Sequence, residues 1–138
     1  MNTISRLKKN LQASINSKQK LLADDHCLGL FSNAVETLVG QYKLGGRIYI
    51  AGNGGSAADA QHLAAEFVSK LARDRAPLPA EALTVDSLIL TVIGNDYGYE
   101  MVFARQLAGK ATKLMYFLGL QPRVIRQIYS GLYCTVRK

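Results

Sequence analysis

The sequence is poor in cysteine and contains no long apolar run. Its two cysteines, Cys27 and Cys134, match no zinc or redox spacing, which excludes a cysteine-based metal site and a disulfide framework. No stretch reaches the roughly 18 uninterrupted apolar residues that a membrane-spanning helix requires. Residues 1–19 lack the apolar centre of a secretory signal. We therefore expect a cytoplasmic protein that does not associate with a membrane.

Acidic residues are absent from the last part of the chain. The net charge of +7 would suit a nucleic-acid-binding protein if the basic residues formed a continuous stripe. They do not, because residues 1–113 carry a net charge of +3, while residues 114–138 carry four basic residues and no acid. No basic stripe with interleaved aromatic residues runs through the body of the sequence, so nucleic-acid binding is disfavoured.

Helical and strand patterns are present in the alternation that is typical of an α/β fold. The chain has 138 residues, 49% of them apolar, which suits a single domain with a substantial core. Residues 47–51, RIYIA, are nearly all apolar, as in a parallel strand covered on both faces. Helices are predicted over 3–23, 27–43, 56–72 and 88–94, the last with Asp86 or Ser87 as its N-cap, and a second strand over 82–85. Residues 95–98 are predicted to break the fourth helix, and helical spacing resumes over 99–111. Two leading helices followed by strand, helix, strand and helix predict an α/β fold with a parallel sheet.

A glycine-rich loop, AGNGGSAAD, joins the strand over 47–51 to the following helix. Its three glycines allow close backbone approach and positive φ angles. The helix N-terminus after it favours an anion. Because the loop is not GxGxxG and has no Walker lysine, a dinucleotide or P-loop site is disfavoured. Two interpretations stay open, a small phosphate-bearing ligand or a tight turn without a ligand.

The helix after this loop carries polar residues at helical spacing. Ser56 is predicted to be its N-cap, with Asp59 as the capping-box partner. His62 and Glu66 lie at i and i+4 and share one face with Asp59. Such a pair holds a divalent metal, acts as a base with its partner, or is only a solvated pair. His26, between the two leading helices, is interpreted as structural.

Two segments resemble the sugar isomerase (SIS) domain family, and most closely its phosphoheptose isomerases: GGRIYIAGNGGSAADAQHLAAEFVSKL and LTVIGNDYGYEMVFARQL. The resemblance covers residues 1 to about 113, including the two leading helices. It implies a SIS-type parallel-sheet sandwich, incomplete here, of which residues 1–113 are the N-terminal part. It also implies an isomerase that converts sedoheptulose 7-phosphate to D-glycero-D-manno-heptose 7-phosphate, for the heptose of lipopolysaccharide or capsule.

The resemblance assigns roles to the matched positions. Zinc, one ion per subunit, would be bound by His62 and Glu66, and Glu66 would also be the catalytic base. The substrate-contacting residues would be Asn53, Gly54, Gly55, Ser56, Glu66, Asn95 and Asp96. Family members assemble as homotetramers through their leading helices, so a homo-oligomer is expected, with no nucleic-acid partner.

Residues 114–138 depart from the family pattern. Family members continue with a strand and a TSGNS phosphate loop, and later with a Gln and a His of the zinc site, none of which occurs here. Codons for Leu118 to Tyr129 can be chosen that, read in a shifted frame, encode GITTSGNSPNI, which resembles the missing loop. We therefore predict an out-of-frame tail over 114–138 that packs poorly or forms only an isolated helix, and a truncated chain with impaired activity.

Two other functions stay open at this point. A non-catalytic SIS adaptor would have no need of the pair formed by His62 and Glu66. A sugar-phosphate-binding regulator would use the glycine-rich loop without the metal.

Overall fold

The computed structural model describes residues 2–110 and 112–125, and the chain divides into two compact units between Val39 and Gly40. The first unit is helical and the second contains the sheet. The helices are α1 (Thr3–Leu22), α2 (Asp25–Lys43), α3 (Gly55–Val68), α4 (Ser87–Tyr97), the 3-10 helix Tyr99–Met101 and α5 (Val102–Lys110); the strands are β1 (Arg47–Ala51), β2 (Ala80–Ala82) and β3 (Met115–Gly119). No helix within the described ranges is long and apolar enough to cross a membrane.

The two leading helices begin at side-chain caps. Asn2 Oδ1 accepts a hydrogen bond from the Ser5 N–H at 2.8 Å at the start of α1. Asp24 Oδ1 accepts from the Cys27 N–H at 2.9 Å at the start of α2, and the bond from this N–H lowers the pKa of Asp24. Neither helix contains a buried residue, so apolar side chains such as that of Phe31 are exposed.

The sheet has three strands in the order β2-β1-β3, and both pairings are parallel. Ile48 of β1 pairs with Ala80 on one side and with Tyr116 on the other. Ile48 to Ala51 are each at most 3% exposed, because β1 is central and covered on both faces. The predicted α/β class and the apolar strand RIYIA are therefore confirmed.

The core lies against one side of β1 and is built largely from α4 and α5. Asp86 caps α4 as predicted, since its Oδ1 accepts from the Ile89 N–H at 2.9 Å. Gln106 is buried within α5 and donates to the carbonyl oxygens of Leu83 and Val102, at 3.1 and 2.9 Å. The buried cluster consists of Tyr49, Ala51, Leu83, Ile93, Val102, Phe103, Leu107 and Val124.

The predicted bounds of α3 and β2 differ from those in the structure. The third helix ends at Val68 instead of residue 72, because the Arg75 guanidinium returns to the helix end and donates to the carbonyls of Glu66 and Phe67, both at 2.8 Å. The second strand occupies Ala80–Ala82 instead of 82–85.

The expectation that the tail from residue 114 packs poorly is wrong for the part that is described. Met115–Gly119 form β3, paired with β1 along its whole length, and Val124 is fully buried. The physical reason is that LMYFLGL is apolar enough to cover the open edge of β1. Residues 126–138 lie outside the described range, and the division of the chain at residue 113 stays a prediction.

Candidate functional site

The carboxyl ends of β1 and β3 lie side by side at one edge of the sheet. From β1 the chain passes through α3 to β2 on one side, and then through α4 and α5 to β3 on the other side of β1. In open parallel sheets, ligands bind outside the carboxyl ends of the strands where the strand order reverses in this way. The topology therefore places the candidate site at residues 52–56, the loop that the sequence singled out.

Two glycines shape this loop. A side chain at Gly52 would overlap the backbone of Ser56, so only glycine allows β1 to approach the start of α3 this closely. Gly54 has a φ of +57° and is the N-cap of α3, in a region that residues with a side chain rarely adopt. The loop consequently turns from strand to helix with its polar groups at the sheet edge.

The start of α3 has no side-chain cap, so the prediction of a capping box at Ser56 and Asp59 is wrong. The helix begins one residue before Ser56, with Gly54 at the N-cap position. The carbonyl oxygens of Asn53 and Gly54 instead accept from the Ser56 and Ala57 N–H groups, at 3.2 and 3.0 Å. The positive end of the helix dipole points at the loop, which favours a negatively charged ligand.

Asn53 connects three segments of the chain. Its Oδ1 accepts a hydrogen bond from the Tyr99 hydroxyl at 2.8 Å. Its carbonyl oxygen accepts from Gln121 Nε2 at 3.2 Å, and Gln121 also donates to Ser56 Oγ at 3.0 Å. Because Tyr99 follows α4 and Gln121 follows β3, the loop is held from both sides.

His62 and Glu66 share one face of α3, as their spacing predicted. His62 Nε2 lies 3.5 Å from Glu66 Oε1, and the two side chains are 79% and 26% exposed. The Glu66 backbone is fixed by the hydrogen bond from Arg75 at 2.8 Å. The structure therefore brings an imidazole and an accessible carboxylate together on a rigid element.

Glu66 and the loop occupy opposite ends of α3. Glu66 follows Gly55, the first residue of the helix, by three turns, which amounts to about 16 Å along the helix axis at 1.5 Å per residue. The tilt of helical side chains toward the N-terminus shortens this separation only in part. The loop and the carboxylate are therefore separated along the axis of α3.

Asn95 and Asp96 lie in the last turn of α4, where both are exposed. Asn95 Nδ2 donates to Asp96 Oδ1 at 2.8 Å. Gly98, with a φ of +89°, then turns the chain into the 3-10 helix that carries Tyr99. The hydrogen bond from Tyr99 to Asn53 thereby connects this predicted substrate-binding pair to the loop.

The predicted zinc ligands make only part of a metal site. Zinc sites take three or four protein ligands in tetrahedral geometry. Within residues 2–110 and 112–125, no group of three or more His, Cys, Asp or Glu residues is placed to hold a metal ion. His62 and Glu66 supply one nitrogen and one carboxylate, which fits two positions of a zinc site and does not complete it.

Sequence reasoning missed Tyr99 and Gln121. The sequence predicted a break over 95–98 with helical spacing resuming at Tyr99, and Gly98 in that break was the signal for a turn beside the site. Gln121 falls in the segment predicted to be out of frame. Its signal was its place two residues after an apolar strand, where carboxyl-end loops carry ligand-binding side chains.

The sequence matches one family model and several curated proteins. The family model of the SIS domain matches residues 29–119. The chain is 49% identical over 114 residues to a phosphoheptose isomerase of Aneurinibacillus thermoaerophilus, covering 83% of this chain and 58% of that protein. It is 46% identical to phosphoheptose isomerase 2 of Campylobacter jejuni over 119 residues, covering 86% and 59% respectively. The chain thus spans somewhat under three-fifths of the length of these relatives.

Solved structures agree with these relatives. A phosphoheptose isomerase from Neisseria gonorrhoeae superposes with a TM-score of 0.82 at 31% identity, covering 96% of this chain and 70% of that one. A phosphoheptose isomerase from Francisella tularensis gives a TM-score of 0.84 at 26% identity, with 97% and 71% covered. The predicted resemblance is confirmed, and the chain belongs to the SIS domain family.

Proposed function

We propose that the SIS domain to which these residues belong is a phosphoheptose isomerase, a ketose–aldose isomerase that converts sedoheptulose 7-phosphate to D-glycero-D-manno-heptose 7-phosphate. The observation that carries the proposal is the position of loop 52–56, at the end of β1 where the strand order reverses. The hydrogen bond from Tyr99 to Asn53 connects this loop to the end of α4, which carries Asn95 and Asp96. The loop occurs in a sequence about half identical to proteins of that name. The full activity is proposed for the complete domain.

The proposed reaction supplies heptose for lipopolysaccharide or capsule. We place it in the cytoplasm because its substrate carries a phosphate, and charged groups enter hydrocarbon only at a large cost in free energy. A phosphorylated sugar is therefore retained in the compartment where it is made and used.

Glu66 would move the proton. Its carboxylate removes the proton from C1 of the ketose while the C2 carbonyl oxygen takes up a proton, which forms an ene-diol. The carboxylate then returns the proton to C2, and the C1 hydroxyl loses its proton as the aldehyde forms. The Glu66 carboxylate is partly exposed and lies 3.5 Å from the His62 imidazole, which suits this shuttle because a substrate can reach it.

The loop and the end of α4 would hold the substrate. The Asn53 amide and the pair formed by Asn95 and Asp96 offer donors and acceptors for sugar hydroxyls. The N-terminus of α3, next to Gly55 and Ser56, attracts the negatively charged phosphate through its dipole. Binding both ends of the sugar orients the reacting carbons toward the base.

We propose zinc as the cofactor, with His62 and Glu66 as two of its ligands. A zinc ion, when bound, stabilises negative charge on the substrate oxygens. Because a zinc site takes at least three protein ligands, its occupancy would require residues in addition to these two.

We also propose a homo-oligomer, a tetramer as in the family, assembled through α1 and α2. These helices expose apolar side chains, among them Leu7, Leu11 and Phe31, and exposed apolar faces of this kind mark interaction surfaces or cause aggregation. Sedimentation of the 138-residue chain should give assemblies or aggregates, and a cooperatively melting monomer would contradict this.

The function is tested by turnover. Two proteins are compared: the 138-residue chain and a frame-restored chain, in which residues 1–113 continue with the translation of the shifted frame. Each is incubated with sedoheptulose 7-phosphate, and aldose formation and ligand binding are measured. We expect turnover by the frame-restored chain and none by the 138-residue chain. Binding without turnover by the frame-restored chain would favour a sugar-phosphate-binding regulator, and no binding at all would favour an adaptor.

A further inference from the structure

The oxygen atoms of Asn53 are all engaged by donors of the protein. Its carbonyl oxygen accepts from the Ser56 N–H and from Gln121 Nε2, both at 3.2 Å. Its side-chain Oδ1 accepts from the Tyr99 hydroxyl at 2.8 Å. Among residues 2–110 and 112–125, no protein acceptor pairs with the Nδ2–H₂ group of Asn53. The side chain therefore has two donors to offer a ligand at the sheet edge.

The backbone around Tyr99 is held in place on both sides. On its N-terminal side, Gly98 has a φ of +89°, and the Met101 N–H donates to the Gly98 carbonyl at 3.1 Å. On its C-terminal side, Val102 and Phe103 are 0% and 1% exposed in the core. The phenol is thus anchored by the turn before it and by buried residues after it, although Tyr99 itself is exposed.

We propose that Tyr99 is a positioning residue for substrate binding, an inference that rests on the proposed function. An asparagine amide can present either its oxygen or its nitrogen. The Tyr99 O–H donates to Oδ1 and so holds the amide with Nδ2–H₂ toward the ligand. A sugar phosphate is rich in oxygen acceptors, and this orientation matches them. Tyr99 acts through Asn53.

Tyr97 provides a matched control. It lies two residues before Tyr99, and the two residues are 48% and 55% exposed. Its hydroxyl accepts a hydrogen bond from Arg105 at 2.9 Å and does not bond to Asn53. Tyr97→Phe therefore removes the same hydroxyl group without touching the amide of Asn53.

The orientation of the amide is tested first, without ligand, in the 138-residue chain labelled with ¹³C and ¹⁵N. The side-chain Cγ and Nδ2 resonances of Asn53 are identified by their loss in Asn53→Ala. We expect Tyr99→Phe to move the Cγ resonance upfield, because the carbonyl oxygen loses a donor, and Tyr97→Phe to leave it in place. A Cγ resonance that is unchanged in Tyr99→Phe would overturn the proposal.

The consequence for binding is tested by a double-mutant cycle, with sedoheptulose 7-phosphate titrated onto the same chain. Tyr99→Phe should weaken binding about five-fold, the effect of one hydrogen bond, and Tyr97→Phe should not weaken it. The double variant Asn53→Ala, Tyr99→Phe should bind as Asn53→Ala does, because Tyr99 acts only through the amide. If the double variant loses affinity by the product of the two single-variant losses, Tyr99 acts independently of Asn53 and the proposal is overturned. If even the parent chain binds no sugar phosphate, substrate binding fails for these 138 residues, the frame-restored chain still tests the proposed function, and the Cγ resonance alone decides the role of Tyr99.

Discussion

His62 Nε2 and Glu66 Oε1 lie 3.5 Å apart, one turn from each other on one face of α3. This separation is longer than that of a normal hydrogen bond, so the carboxylate lies near the imidazole without a strong hydrogen bond to it. Its oxygen lone pairs stay available to a substrate proton or to a metal ion. The pair is therefore the part of the chain best suited to chemistry.

Glu66→Gln tests the base directly. In the frame-restored chain, this change keeps the size and hydrogen bonding of the side chain but removes the carboxylate that takes up the proton. We expect kcat to fall by about 10²–10⁴, the usual contribution of a positioned general base. Glu36→Gln, the same change on α2, should leave kcat unaltered. Equal rates for Glu66→Gln and its parent would refute the assignment of Glu66 while leaving the family membership intact.

His62→Ala tests the metal site. In the frame-restored chain, loss of one ligand should weaken zinc retention as well as lower the rate. Bound metal is measured by elemental analysis after dialysis. The matched control is His26→Ala, since His26 is exposed near the start of α2 and should retain the full zinc content. The 138-residue chain should hold no stoichiometric zinc, and finding one ion per chain there would mean that the ligand set is wrong.

The gene offers an independent test of the tail. The nucleotide sequence after the codon of Lys113, read in the shifted frame, should encode TSGNS and continue as the C-terminal part of a SIS domain. Sequencing codons 110 to 130 and the region beyond decides this. A stop codon in that frame shortly after the position of Tyr129 would rule out the frameshift.

Asp86→Ala tests which carboxylate caps a helix. Asp86 accepts from the Ile89 N–H at 2.9 Å, so its removal should lower the free energy of unfolding by about 1 kcal/mol. Asp59→Ala is the matched control, because Asp59 is exposed and α3 has no side-chain cap. Its effect should stay within about 0.5 kcal/mol. Urea unfolding of the three proteins measures the difference, and equal losses would restore the capping box that the sequence predicted.

Local sequence signals predicted the elements that are governed by local physics. The strand β1 and the cap at Asp86 were both predicted correctly. A strand buried on both faces has a continuous apolar sequence, and a helix cap has a carboxylate just before the first turn. The end of α3 could not be predicted in this way, since Arg75 binds its last carbonyls from a later loop.

In the candidate site, too, the local features were predictable and the long-range contacts were not. The glycine-rich loop and the i,i+4 spacing of His62 and Glu66 were readable, because both depend on neighbours in the chain. The contacts of Tyr99 and Gln121 with Asn53 were not, since they join residues separated by 46 and 68 positions. Such contacts follow from the order of strands in the sheet. The sequence pattern did not determine this order, because β3 lies in the segment that was predicted to be an out-of-frame tail.

The tail itself can be tested by two neighbouring residues. Val124 is fully buried in the core cluster, whereas Ile125 is 41% exposed. Val124→Ala should lower the free energy of unfolding by about 2 kcal/mol, from the lost burial of two methyl groups and the cavity that remains.

Ile125→Ala removes more carbon but should cost less than half as much, because much of its side chain already contacts water. Urea unfolding of both variants at low protein concentration gives the comparison. If both substitutions are neutral, the segment after β3 does not pack on the core, and the poor packing predicted from the sequence would be correct after all. A large loss at Val124 alone would mean that residues beyond 114, whatever their origin, stabilise the sheet edge at which Asn53 and Gln121 meet.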